Sequence, residues 1–290
     1  MNKQKIAAQY DSQYLEVGRP QTLSDNRIEQ LQQEVLDGNL DRDITDQVYT
    51  NFKKEMTDWV FESKLNKLTG FDQFNRVDII NGCTQFIDTV YMKGPVQTLK
   101  GDYRYHNRLN PDIVYSVPGY LRSGLPLIIA APFPSLGDLH VNMKEILDEC
   151  LDRQIPVHID GAWITCSRDI VLDVGHSAIC SIGISLSKGL GLGWNRVGLR
   201  WTKNNSVDAV TVMNDFNMNL RALVMIGRHY LRNLPVDYLW NTHGDRYRKI
   251  CQDFNLTPTK AIHIAMRDGY PVGVAPLIRY LETADGLLGE

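Results

Sequence analysis

The chain lacks several features by which a sequence announces its class. Its five cysteines, Cys83, Cys150, Cys166, Cys180 and Cys251, are odd in number, widely spaced and free of any Cys-x-x-Cys pair. That excludes a disulfide framework or thiolate zinc site as the first expectation and points to reduced thiols. The seven histidines show no His-x-x-x-His step, so no metal is expected. No apolar run is long enough to span a bilayer; the longest, around Leu125 to Pro134, is short and interrupted by prolines. Met1 to Tyr10 carries lysines without an apolar segment behind them, so a secretory signal is not expected. Positive charge is also in short supply. Lys and Arg number 31 against 34 Asp and Glu, a net charge of -3, so nucleic acid is not an expected partner. There is no internal repeat and no Gly/Ser linker. Together these absences leave a cytoplasmic, non-membrane protein as the expectation.

What is present is a texture that changes along the chain. At 290 residues and 43% apolar content, the chain can bury one large domain with a smaller appendage. Residues 1–70 are polar and read as a helical arm. Ser24-Asp25-Asn26 opens a pattern with Ile28, Leu31 and Val35 on one face, and a second runs through Val48, Phe52, Met56, Trp59, Val60 and Leu65. Residues 71–205 read as the large domain. Seven β-rich runs recur there: Val77 to Asn81, Val96 to Lys100, Asp112 to Val117, Leu125 to Ala131, Pro156 to Asp160, Ile179 to Ser185 and Arg196 to Thr202. A helix is expected over Asp138 to Asp152. Continuous apolar strands joined by such crossovers indicate a largely parallel sheet covered on both faces. Residues 206–290 read as a small C-terminal domain, with helices over Val207 to Leu231 and Asp245 to Phe254 and with Pro235, Pro258, Pro271 and Pro276 as punctuation.

Ligands of parallel sheets sit beyond the carboxyl ends of the strands, and a distinct set of residues falls there. Ser185-Leu186-Ser187-Lys188 is followed eight residues after the lysine by Arg196, and Asp160 ends a strand 28 residues before it. A lysine can form a Schiff base with an aldehyde, a carboxylate can keep a pyridine nitrogen protonated, and an arginine fork can grip a phosphate. That is the set required to hold pyridoxal 5'-phosphate. Glycines 189, 191 and 193 let backbone approach a phosphate closely. Asn81-Gly82-Cys83-Thr84-Gln85 leads from the first strand into a helix over Thr84 to Tyr91, whose amide end would complete an anion cup. Each residue has a plainer reading: Lys188 as a solvated surface lysine, Asp160 as the cap of the next turn, Asn-Gly as a turn signal.

On these residues the chain resembles the fold-type I pyridoxal-phosphate enzymes, the aspartate aminotransferase superfamily, over roughly residues 70–205. The resemblance implies a three-layer α/β/α fold, a seven-stranded mostly parallel mixed sheet and a reduced C-terminal small domain. It implies Lys188 and Asp160 as catalytic residues. Gly82, Cys83, Thr84, Tyr103, Asp160, Trp163, Ser185, Ser187, Lys188 and Arg196 become the cofactor contacts, with Arg196 and Ser185 on the phosphate. Tyr103 would stack on the ring, with Tyr105 as the competing choice. Two positions depart from the family pattern. Phe133-Pro134-Ser135-Leu136-Gly137 stands where an asparagine commonly contacts the phenolic oxygen, and Trp163 stands where a tyrosine usually does. The family's late arginine for the substrate carboxylate has no clear counterpart; Arg267 and Arg279 are candidates. A homodimer is implied, with Tyr49 a candidate for reaching the partner's phosphate. The implied reaction is amino-group transfer between an amino acid or amine, as small-molecule substrate, and an oxo compound. Decarboxylation or another Cα lyase or transferase step, and a non-catalytic cofactor-binding protein of the same fold, are the alternatives.

Overall fold

A computed structural model of the chain describes residues 22–40, 43–203, 207–279 and 282. The segment Met1 to Tyr10 and the first part of the expected helical arm lie outside the described residues. Helix α1 (Asn26–Leu36) begins where Asp25 accepts the Ile28 N–H at 2.9 Å, and it buries Ile28 and Leu31. Helix α2 (Gln47–Phe61) buries Val48, Phe52, Met56, Trp59 and Val60 along one face, the periodicity the sequence shows. There follow β1 (Lys67–Thr69), β2 (Arg76–Ile80), α3 (Gly82–Tyr91), β3 (Gln97–Leu99), α4 (Tyr105–Leu109), β4 (Val114–Ser116), β5 (Leu127–Ala130) and α5 (Met143–Asp152). Next come β6 (Val157–Asp160), β7 (Val171–Asp173), β8 (Ile179–Ser185), a single turn α6 (Leu186–Gly189) and β9 (Gly198–Thr202). The remainder forms α7 (Ala209–Asp215), α8 (Arg221–Asn233), α9 (Tyr238–Asp253), β10 (Thr257–Pro258), β11 (Ile264–Arg267) and β12 (Tyr270–Gly273).

All seven expected strands join one sheet, in the order β2-β9-β8-β6-β5-β3-β4. Strand β9 runs antiparallel to both of its neighbours, and every other pairing is parallel. Both faces are covered: Leu127 and Ile129 of β5 pack into one apolar cluster, and Ile128 between them packs into a second with Phe86, Ile87 and Val90 of α3. This is the three-layer arrangement, because successive strand residues point to opposite faces. The larger cluster runs from Leu23 to Ile278, so apolar packing is continuous across positions 70/71 and 205/206. Helix α2 lies on α8, where Trp59 Nε1 donates to the Leu234 carbonyl at 2.7 Å and Arg228 forks onto Glu55. Asp25 also accepts from Tyr238 Oη at 2.7 Å and His243 Nε2 at 2.6 Å, tying α1 to α9. Asp25, His243 and Glu282 offer ligand atoms within 4.8 Å of one another; the Asp25–His243 bond accounts for two of the three. The five cysteines are all free. Among the described residues no helix is long and apolar enough to cross a membrane.

Three helices differ from expectation, and the one expected over Asp245 to Phe254 is α9, which already begins at Tyr238. The one expected over Asp138 to Asp152 starts at Met143, because Asp138 is held in an antiparallel bridge to Phe133. The long segment over Val207 to Leu231 is two helices, α7 and α8, parted where Asn217 takes a left-handed φ of 51°.

Gly198 shows how tightly the sheet closes next to the lysine turn. A methyl at its Cα would meet the Ile184 carbonyl oxygen at 2.3 Å and the Ser185 Cα at 2.7 Å, and backbone cannot step aside as a side chain can. We expect Gly198→Ala to destabilise the protein by about 2 kcal/mol or more, the upper range of overpacking costs. Urea unfolding reads this directly. A midpoint unchanged from the parent would show that β8 and β9 separate more easily than their register implies.

Candidate active site

Strand register brings the sequence-distant residues to one place. Ser185 pairs with Gly198 across β8 and β9, and Gly198 pairs on its other side with Ile80 of β2. The connection carrying Lys188 and Arg196 therefore leaves and re-enters the sheet at one rung, and α3 starts two residues past the same rung. Because β9 is antiparallel to both neighbours, its first residue meets the last residues of β2 and β8. Asp160 lies across from Gly183, two residues before Ser185, and Ala130 lies across from Asp160. Lys188, Arg196, Ser185, Asp160 and the first turn of α3 thus share the carboxyl end of the parallel strands.

The charges there are held as a buried ligand site requires. Asp160 is 2% exposed, and its Oδ1 accepts the Ala162 N–H at 3.1 Å. Burial pushes its carboxyl above the usual range, only partly offset by that bond, by Cys83 and by the positive charges of Lys188 and Arg196. The Lys188 ammonium is pushed the other way, below the usual lysine range, again chiefly by burial. Its Nζ lies 4.8 Å from the centre of the Trp163 ring. Arg196 lies against Gly82, where an added methyl would stand 3.1 Å from Nε and 3.3 Å from Nη2. Gly82 has φ +76°, so a side chain there is opposed by backbone geometry as well as by space. The guanidinium therefore sits at the amide end of α3, whose first N–H groups have no acceptor within the helix. Ser185 and Ser187 are both buried, and the Ser187 hydroxyl has no hydrogen-bond partner.

No protein-family model and no curated protein matches the sequence. Solved structures do match the fold. An aminotransferase from Mycobacterium tuberculosis superposes with a TM-score of 0.59 at 13% identity, covering 90% of this chain and 78% of that one. The aspartate aminotransferase from Thermotoga maritima superposes at 0.58 with 12% identity, covering 98% and 96%. A pyridoxal-phosphate-bound C–S lyase from Staphylococcus hominis superposes at 0.58 with 9% identity, covering 84% and 76%. The fold is that of the pyridoxal-phosphate-dependent aminotransferases, fold type I.

Within this aminotransferase fold the remaining expected residues are placed as follows. Cys83 is buried in the first turn of α3 and donates from Sγ to the Gly183 carbonyl at 3.4 Å, and Thr84 beside it is half-buried. Burial and the nearby Asp160 hold the Cys83 thiol well above its ordinary range, so it is a neutral group. Tyr103, 38% exposed, stacks on Tyr105 with ring centres 5.8 Å apart. Tyr105 donates from its hydroxyl to Asp88 of α3 at 2.8 Å. Phe133 is buried with its ring edge against His140, so an apolar side chain does occupy the departing position.

Tyr49 is a correction. It is 5% exposed and donates to the Asn219 carbonyl at 3.0 Å within its own chain, because it lies on the face of α2 that packs inward. It cannot also reach a partner's phosphate. Of the two candidate arginines, Arg279 is hydrogen-bonded to Glu29 of α1, and Arg267 is half-buried on β11.

Two residues near the site escape sequence reasoning. Asp102 is buried, its Oδ2 accepting the Ala130 N–H at 3.0 Å and the Thr98 hydroxyl at 3.3 Å and its Oδ1 accepting the Tyr103 N–H at 2.6 Å. Burial pushes it up to about 7, with the charge of Asp160 adding to the rise. Its signal in the sequence is an acid three residues past the end of a strand and just before an aromatic. His263, fully buried, is the other; its signal is a polar residue inside the apolar run Ala261-Ile262-His263-Ile264-Ala265.

Proposed function

We propose that the protein is a pyridoxal-phosphate-dependent enzyme that transfers an amino group between an amino acid or amine and an oxo compound. The observation that supports this most is the single rung on which Ser185, Gly198 and Ile80 pair, since it gathers Lys188, Arg196 and the α3 amide end beside Asp160.

The residues fit the cofactor. Asp160 is a buried carboxylate with one backbone donor, an arrangement that a protonated pyridine nitrogen would complete. Arg196, the N–H groups of Gly82, Cys83 and Thr84 and the buried hydroxyls of Ser185 and Ser187 supply donors for a phosphate, and the bare Gly82 leaves it room. Tyr103 would lie on the ring face. The group itself would supply an aldehyde that takes up amines and a ring that withdraws the electron pair left at Cα. Lys188, its charge disfavoured by burial, would present a neutral amine and afterwards carry the Cα proton. Trp163 would shield that amine from water with its indole face. A homodimeric assembly accompanies this reading.

A second reading, a Cα lyase, is favoured by Phe133. An apolar ring where the phenolic oxygen would find an amide, with Trp163 offering at most one donor, changes the electronics of the site. The test is to incubate the cofactor-loaded protein with amino acids and 2-oxo acids and to weigh the products. We expect a new amino acid formed from the oxo acid. Release of carbon dioxide or a thiol without amino transfer would replace the first reading by the second, and no product from any pool would contradict both.

A further inference from the structure

The turn that carries Lys188 is too short to satisfy itself. Helix α6 spans Leu186–Gly189, and its one closing bond runs from the Leu190 N–H to the Leu186 carbonyl at 3.0 Å. Beyond it the chain turns through Gly191 at φ +68°, so no following helical turn supplies an N–H to the carbonyl of Lys188. The donor comes instead from the C-terminal region. His263, immediately before β11, places Nε2 2.9 Å from the Lys188 carbonyl oxygen. A carbonyl can only accept, so the proton of this ring is on Nε2 and Nδ1 is bare. Nδ1 is buried without a partner. The ring packs edge-to-face with Trp163, centres 5.7 Å apart, and Lys188 Nζ lies over that same indole. His263 is anchored in turn: its own carbonyl accepts the Val274 N–H at 2.9 Å, and the preceding Ile262 N–H donates to the Cys166 carbonyl at 3.0 Å. Burial, with the charge of Lys188 adding to it, holds the imidazole down at about 3, so it stays neutral and keeps this tautomer over the working pH range.

Resting on the function proposed above, we propose that His263 is the positioning residue of Lys188. Its Nε2–H fixes the peptide of the lysine, and its ring backs the indole over which the amine lies. The antiparallel sheet β10-β11-β12, far from the phosphate cup in sequence, thereby sets the direction from which the amine meets an aldehyde. His263 touches neither cofactor nor substrate in this account and acts through Lys188 alone.

The test follows pyridoxal phosphate joining the full-length apo-protein by visible absorbance, then fixes it with borohydride and maps the labelled peptide. His263→Leu keeps the volume and removes the donor, while His263→Gln can return an N–H to the place of Nε2. We expect His263→Leu to slow labelling of Lys188 about tenfold, one buried hydrogen bond's worth. His263→Gln should restore it to within about threefold of the parent, a rescue that filling the core alone would not produce. Labelling of His263→Leu at the parental rate would overturn the assignment, as would equal slowing of both variants with parental melting temperatures. Should His263→Leu not fold, His263→Asn, polar but too short to reach the carbonyl, replaces it with the same expectation. Failure of the unsubstituted protein to label at Lys188 would instead sink the functional reading, and this inference with it.

Discussion

Replacing Asp160 with alanine should lower turnover by roughly 10²–10⁴-fold at saturating cofactor, the rate equivalent of about 3–5 kcal/mol for leaving a buried charge without its partner. Asp160 is buried, stands at the end of a central strand and feels the positive charges of Lys188 and Arg196. In the proposed site it alone would hold the proton on the ring nitrogen, and without that proton the ring no longer draws electrons from Cα. Trp163→Phe offers the contrast. The indole gives an apolar face to the lysine amine and at most one donor, so a phenyl ring should cost less than about tenfold. The two variants are compared by steady-state rates with cofactor in excess. Equal losses would mean that Asp160 is not the ring's partner.

The second large effect falls on binding. Arg196→Lys should weaken affinity for pyridoxal phosphate about 10–100-fold, because an ammonium cannot reproduce a planar fork and one charged hydrogen bond is lost. The guanidinium already lies against Gly82 at the start of α3, and among the described residues it forms no ion pair. The Michaelis constant for the substrate should change little once cofactor saturates. Titration of the apo-protein measures the first quantity and steady-state kinetics the second. Unchanged cofactor affinity with a raised substrate constant would move Arg196 to the substrate and dismantle the phosphate cup.

How far these residues could be read from the sequence depended on where their partners lie. The central strands of the main sheet were legible as apolar runs buried by neighbours on both faces, as in Leu127–Ala130, whereas the edge strand β4 is only partly buried, with Tyr115 exposed. Strands β1 and β7 were not: they are three residues each, mostly exposed, and pair across a hundred residues. Strands β10 and β12 hid behind Pro258 and Pro271, which read as breakers and sit at the two edges of their sheet, where a missing N–H is tolerated. Lys188, Arg196 and Asp160 were legible as an ordered set at strand ends. Asp102 and His263 were not, since an acid before an aromatic and a histidine in an apolar run acquire meaning only from the backbone they meet: the Ala130 N–H in one case and the Lys188 carbonyl in the other. Tyr49 shows the opposite failure, a residue of the right type whose hydroxyl the fold had already engaged.

In the proposed site Lys188 is the amine that meets the cofactor. Burial disfavours its charge, and it lies three residues past the Ser185 rung at which Arg196 and α3 also meet the sheet. The direct measurement is to load the purified protein with pyridoxal phosphate, reduce it with borohydride, digest it and locate the added mass by tandem mass spectrometry. The expected result is a yellow protein bleached by reduction, with the modification on Lys188 at one equivalent per chain and none in Lys188→Ala. Modification at another lysine, or none at saturating cofactor, would contradict it.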